Sequence, residues 1–285
     1  MQVMLSSRLF RLRAIQAGTL AILLASVPPS LTSNDPVAQS IAVRHLEGLV
    51  HGFLVLRTLQ GETLANGELT QTNLGDRVTS HLVFRFKDGS IHDESTVFSQ
   101  RRNFRLLSHH LVQKGPAFKH PIDLLIDGVA GQVTVRYADV EGKEKVLTEH
   151  VKMPPDLANG AVLTLMKNIA PNIPRTIYSL LVTTPKPRLV KLEITPEGED
   201  TFTVGETSHK ATHYVVKVQI GGVAGVMADI AGKQPPDTHV WILGGDAPTL
   251  IRSEGPLCDG GPIWRIELVS PVGPKDSSEH AENRH

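Results

Sequence analysis

YVVKVQIGGVAGVMADIAGKQPPDTHVWILGGDAPTLIRSEGPLCDGGPIWRIELVSP, residues 214–271, decides how the chain folds. It opens with Tyr214, Val216, Val218 and Ile220 alternating with Val215, Lys217 and Gln219. Successive side chains of a strand point to opposite faces, so this is a strand with one apolar and one mixed face. Residues 240–243 and 249–252 flank Gly244-Gly245-Asp246-Ala247-Pro248, a Gly-rich loop of hairpin length. Residues 263–269 set Trp264, Ile266 and Leu268 against Arg265 and Glu267, the pattern of a sheet with one packed and one polar face. Between the first two strands, residues 221–232 form a Gly/Ala/Met-rich apolar insertion around Met227, ended by Pro235-Pro236.

The chain upstream repeats this material. Apolar-rich runs at 49–59, 63–70, 77–87, 91–100, 103–113, 122–126, 132–137 and 145–152 are separated by Gly, Asp and Pro turns. Asp88-Gly89 is the strongest hairpin signal among them. The pattern changes once. Pro154-Pro155-Asp156 precedes a segment where Ala158, Ala161, Val162, Leu165, Met166 and Ile169 recur at three- and four-residue steps. That spacing predicts a helix near 156–169 with Asp156 as its N-cap, stopped by Pro171 and Pro174. Strands resume at 176–183, 188–195 and 201–204, with a turn at Glu197-Gly198-Glu199-Asp200. About a dozen strands with one central helix predict a mainly β fold. It is a long-stranded antiparallel meander curled into an open or half-barrel, with the helix packed on it.

The ends read differently. Arg8, Arg11 and Arg13 precede the mostly apolar residues 14–27, and Ser30, Thr32 and Ser33 follow. This is the layout of a signal peptide over 1–33, and the apolar run is short for a membrane-spanning helix. A linker over 34–44 then leads to a single β-rich domain over 45–271, and the polar residues 272–285 read as a disordered tail. The expected location is the periplasm or outside the cell, with at most peripheral contact with a membrane. The 29 basic and 29 acidic residues balance, leaving no basic footprint for nucleic acid. The one cysteine, Cys258, excludes an internal disulfide and reads as a small residue in a Gly-rich turn.

An exported chain of long meandering strands with a central helix resembles the lipoprotein-carrier-like (LolA/LolB-like) half-barrels and related exported bacterial β-rich families of unknown function. The local likeness lies in the last third. There Val204-Gly205-Glu206 leads to ATHYVVKV, an apolar insertion, and VWIL followed by APTLIRSEGP. The resemblance implies an apolar concavity under a helical lid that binds an acyl chain or another hydrophobic molecule.

Candidate chemistry is sparse. No G-x-S-x-G elbow and no P-loop is present, and Gly221-Gly222-Val223-Ala224-Gly225 lacks the context of a dinucleotide site. No cofactor is called for. Among the 13 histidines, His92 and Asp93 follow the Asp88-Gly89 hairpin, His109 or His110 approaches them if the two strands pair, and His81 can join from across the hairpin. Imidazoles with a carboxylate suit zinc, against the plainer reading of exposed strand histidines. For a ligand site the candidates are Trp241 and Trp264 as aromatic anchors, Arg265 for an anionic head group, and Met166 and Met227 as pliable apolar surface. The plainer reading makes the tryptophans core and pairs Arg265 with Glu254 across strands. The leading expectation is therefore binding of a lipid or other hydrophobic small molecule. The alternatives are an envelope scaffold that binds a protein partner and, behind it, a metal-dependent hydrolase.

Overall fold

Turn residues cut the chain at most of the places where the sequence marks them. In the computed structural model the described residues are 41–139, 141–170, 172–183, 186–204, 207–219 and 235–269. The proposed signal segment, the apolar insertion with Met227 and the polar tail lie outside them. Fourteen strands appear among the described residues. They are β1 (Val50–Thr58), β2 (Thr63–Leu74), β3 (Arg77–Phe86), β4 (Ile91–Gln100), β5 (Phe104–Lys114), β6 (Ile122–Asp127) and β7 (Gln132–Ala138), followed by β8 (Glu144–His150). After the helix α1 (Val162–Lys167) come β9 (Thr176–Val182), β10 (Arg188–Val204), β11 (Thr207–Gln219), β12 (Thr238–Leu243), β13 (Thr249–Pro256) and β14 (Ile263–Val269).

All fourteen belong to one antiparallel sheet, ordered β8 to β1 and then β14 to β9. Every strand pairs with its sequence neighbour except at two places. β1 pairs with β14, Phe53 opposite Val269 and Thr58 opposite Trp264. β8 and β9 do not pair, so the sheet stays open there, at the segment carrying α1. The fold is the expected open antiparallel meander, with a single helix among the described residues, and its opening lies in mid-sequence.

The segment before α1 fastens to the β9 side of the opening. Leu157 bridges Ser179 in parallel, and Ala158 N–H donates to the Ser179 carbonyl at 2.8 Å. The Asn159 side chain accepts from Leu181 N–H at 2.8 Å and donates to its carbonyl at 2.9 Å. Leu157 then packs with Leu106, Leu124, Ile126, Val133, Val135 and Leu181, which brings side chains from both flanks of the opening together.

Local expectations need correction. The helix spans six residues rather than 156–169. Residues 157–159 bond to β9, and Gly160 takes φ +66°, a left-handed turn that a continuous helix cannot contain. Asp156 is accordingly not the N-cap; Ala161 holds that position without a side-chain bond. Asp156 is buried and accepts from Ser179 Oγ at 2.8 Å. The turn expected at 197–200 is a bulge instead: residues 188–204 form one long strand whose register shifts between Pro196 and Gly198.

The linker expected over 34–44 is structured from Ile41. Ile41 is buried, its carbonyl accepts from Phe104 N–H at 2.9 Å, and Arg44 and His45 N–H donate to Asn168 Oδ1 at 2.8 and 2.7 Å. Lys167 Nζ closes the joint on Glu47 at 2.6 Å. The apolar stripe of α1, Leu165 and Met166, packs with Ile169 against Phe98, Tyr178, Leu192, Ile194, Tyr214 and Val240. Each such fully buried side chain contributes about 1.5–3 kcal/mol. A second cluster gathers Leu54, Leu56, Phe84, Phe86, Phe118 and Trp264. Gly67 permits it, because a Cβ there would lie 2.3 Å from the Phe84 ring.

Candidate functional site

The inner face of the sheet bounds a cavity of about 1600 Å³. Its wall is mostly apolar, with Leu54, Leu56, Leu82, Leu111, Trp264 and Ile266 among its residues, and α1 contributes Val162 and Leu163. A cavity of this size and lining exceeds what a drug-sized ligand fills.

Strand alternation sets a polar group into that wall. On β4 the inner face carries His92, Glu94 and Thr96; on β5 it carries His109 and Gln113, with Thr96 opposite His109 and His92 opposite Gln113. Glu94, Thr96, His109 and Gln113 line the cavity. Gln113 Nε2 donates to the Leu257 carbonyl at 2.8 Å and to His92 Nδ1 at 3.0 Å. Because Nδ1 accepts, the proton of a neutral His92 sits on Nε2. That Nε2 is buried and makes no hydrogen bond. Glu94 Oε2 lies 3.9 Å from it, and Glu94 Oε1 lies 3.9 Å from His109 Nδ1. Thr96 Oγ1 approaches the same His109 Nδ1 at 3.2 Å. Gly160 covers this corner: a Cβ there would fall 1.9 Å from Thr96 Oγ1 and 2.6 Å from His109 Nδ1.

Burial pushes the His109 imidazole down, favouring its neutral form, although Glu94 opposes the shift. Burial would raise Glu94, but the nearby imidazoles of His92 and His109 outweigh it and hold the carboxyl below the usual carboxylate range. Thr96 and Glu94 both approach Nδ1 of His109, so the ring does not relay a proton between them as a nucleophile–base–acid triad requires.

The expected metal set does not assemble. Asp93 points to the outer face, where it meets His81 at 2.9 Å. Among the described residues no group of three His, Cys, Asp or Glu side chains is arranged to hold a metal ion. Glu94, one residue on, occupies the inner position that Asp93 was expected to fill.

The expected ligand set divides in the same way. Trp264 lines the cavity. Met166 is buried in the helix core, and Met227 lies outside the described residues. Trp241 and Arg265 sit on the outer face. Trp241 Nε1 donates to Asp200 at 2.6 Å, and its ring stacks on His213 at 4.6 Å between centroids. His213 shares a 2.9 Å hydrogen bond with His239. Arg252 lies 5.8 Å over Trp241 and 5.1 Å over Phe202, and bonds Glu267 at 2.8 Å. Arg265 bonds Glu254 at 2.7 Å, the cross-strand pair of the plainer reading. Cys258 is half-buried in its turn, and burial pushes its thiol up, away from a reactive thiolate.

No family model matches the chain, and no curated protein does. A solved structure, the β-barrel-like protein of domain of unknown function DUF1849 from Brucella abortus, aligns with 80% of this chain and 98% of its own at 12% identity and a TM-score of 0.43. That likeness is to a β-rich protein of unknown function and not to a lipoprotein carrier.

Proposed function

We propose that this is an exported protein that holds a hydrophobic ligand, a lipid or a single acyl chain, in the concavity of its open barrel. The observation that carries the reading is the cavity of about 1600 Å³ with its largely apolar wall. Well-packed interiors leave few voids larger than a water molecule. The resemblance to lipoprotein carriers adds the expectation of an acyl chain, and Arg8, Arg11 and Arg13 before an apolar run support export.

The partner-binding alternative has weaker support. Its natural docking edge is β8, which pairs only with β7. That strand carries Glu144, Lys145 and Glu149, charges of the kind that keep edge strands from pairing.

The test is fluorescence titration of delipidated protein with N-phenyl-1-naphthylamine, an uncharged apolar dye. Saturable binding is expected, and Ser80→Trp, which fills the cavity from its wall, is expected to weaken it about tenfold or more. Absence of saturable binding, or binding that Ser80→Trp leaves unchanged, overturns the reading.

A further inference from the structure

The cavity wall is mostly apolar, and β4 and β5 set Glu94, Thr96, His109 and Gln113 into it as one contiguous polar group. Such a group needs an explanation. A buried polar atom without a partner costs about 1–3 kcal/mol, and His92 Nε2 is one. The two 3.9 Å separations flanking Glu94 are too long for direct hydrogen bonds. They are short enough for one oxygen atom to reach both sides at ordinary hydrogen-bond distance.

Resting on the cavity reading above, we infer that Glu94 with His92 forms the head-group site for the ligand, and that the site takes an uncharged hydroxyl, as on a long-chain alcohol or a monoacylglycerol. The chemistry follows from donors and acceptors. His92 Nε2–H can only donate, because Gln113 already donates to Nδ1. An ionised Glu94 can only accept. The group between them must accept from the imidazole and donate to the carboxylate, and a hydroxyl does both. A carboxylate head group only accepts and meets the charge of Glu94. An ammonium only donates and leaves His92 Nε2–H unpaired. The lowered pKa of Glu94 agrees, since it keeps the acceptor ionised at neutral pH.

The experiment displaces N-phenyl-1-naphthylamine from the full chain with dodecan-1-ol, dodecanoate and dodecylamine at neutral pH, in the wild type and in Glu94→Gln. The alcohol partitions into any apolar pocket better than the ions, so the change in the ratio between the two proteins is the readout. Dodecanol is expected to bind tightest to the wild type. Glu94→Gln, whose amide donates to a carboxylate, is expected to shrink the alcohol-to-dodecanoate ratio by about tenfold. In the wild type, nitrogen-15 resonances of His92 are expected to shift on adding dodecanol, a readout that needs no variant. An unchanged ratio, tightest binding by dodecylamine, or saturation by dodecanol without a His92 shift overturns the head-group assignment and leaves the cavity reading standing. Failure of the dye itself to bind overturns both.

Discussion

Two places on this sheet carry nearly the same chemistry and meet opposite surroundings. On the outer face of β11 and β12, His213, His239 and Trp241 stand with Asp200 and bond directly: 2.9 Å between the imidazoles and 2.6 Å from indole to carboxylate. On the inner face of β4 and β5, His92 and His109 stand with Glu94, and the contacts stop at 3.9 Å. The outer group braces strands against one another through direct bonds between its own members. The inner group is buried and incompletely paired, and its Glu94 and His109 line a cavity. The difference teaches that residue type says little about role here; what counts is whether a side chain's bonding is complete within the protein.

The largest way to disturb the comparison is Gly160→Ala. The added Cβ would fall on Thr96 Oγ1 at a backbone φ of +66°. Strain and overpacking together are expected to cost about 4 kcal/mol, read as a lowered midpoint in urea unfolding. A change below about 1 kcal/mol would mean that the turn does not cap the inner cluster.

Trp241→Ala tests the outer group. It removes a buried indole, its bond to Asp200 and its stack on His213, and should cost about 3 kcal/mol. Dye binding per folded molecule should stay unchanged, because the ring faces away from the cavity; loss of binding would contradict its placement.

The inner group should also give the protein an acid-sensitive stability. His109 has a folded pKa below its ordinary 6.5, so its contribution is present above that value and lost as pH falls through the folded value. Glu94 is likewise depressed, and its contribution is lost as pH falls below 4.5. A Tm profile should therefore decline in two stages below neutrality, and His109→Gln should flatten the earlier one. A variant that declines like the wild type near pH 6 would remove His109 from the account.

The smallest effect belongs to Arg265→Gln. Its pair with Glu254 is partly exposed, and such cross-strand pairs contribute about 0.2–1 kcal/mol. Tm should barely move and dodecanoate affinity should not move at all. A drop in that affinity would restore Arg265 as a head-group ligand.

Much of this was legible from alternation. The hairpin at Asp88-Gly89, the faces of residues 214–219 and 263–269 and the pairing of the His92 and His109 strands all follow from period and turn chemistry. The same rule, applied once more, separates Asp93 from Glu94: residues 92, 94 and 96 share a face, and sequence adjacency to His92 misleads. Trp241 was harder. Val240 and Ile242 flank it with apolar side chains on the opposite face, so periodicity alone does not say which face is inward. The helix was overextended because Ala158 and Ala161 fit its stripe while Gly160 between them takes a left-handed turn. Neither the pairing of β1 with β14 nor the position of the opening has any local signal.

That pairing orders events in time. Thr58 and Trp264, more than two hundred positions apart, sit opposite each other, whereas every other pair of neighbouring strands is contiguous in the chain. During synthesis each half-sheet can grow hairpin by hairpin, but the edge of β1 waits bare until β14 has emerged. Contacts this distant in sequence are the slow ones to form, and an unpaired edge is the hazard of the interval. The molecule therefore completes its wall last at the joint between its first and last strands.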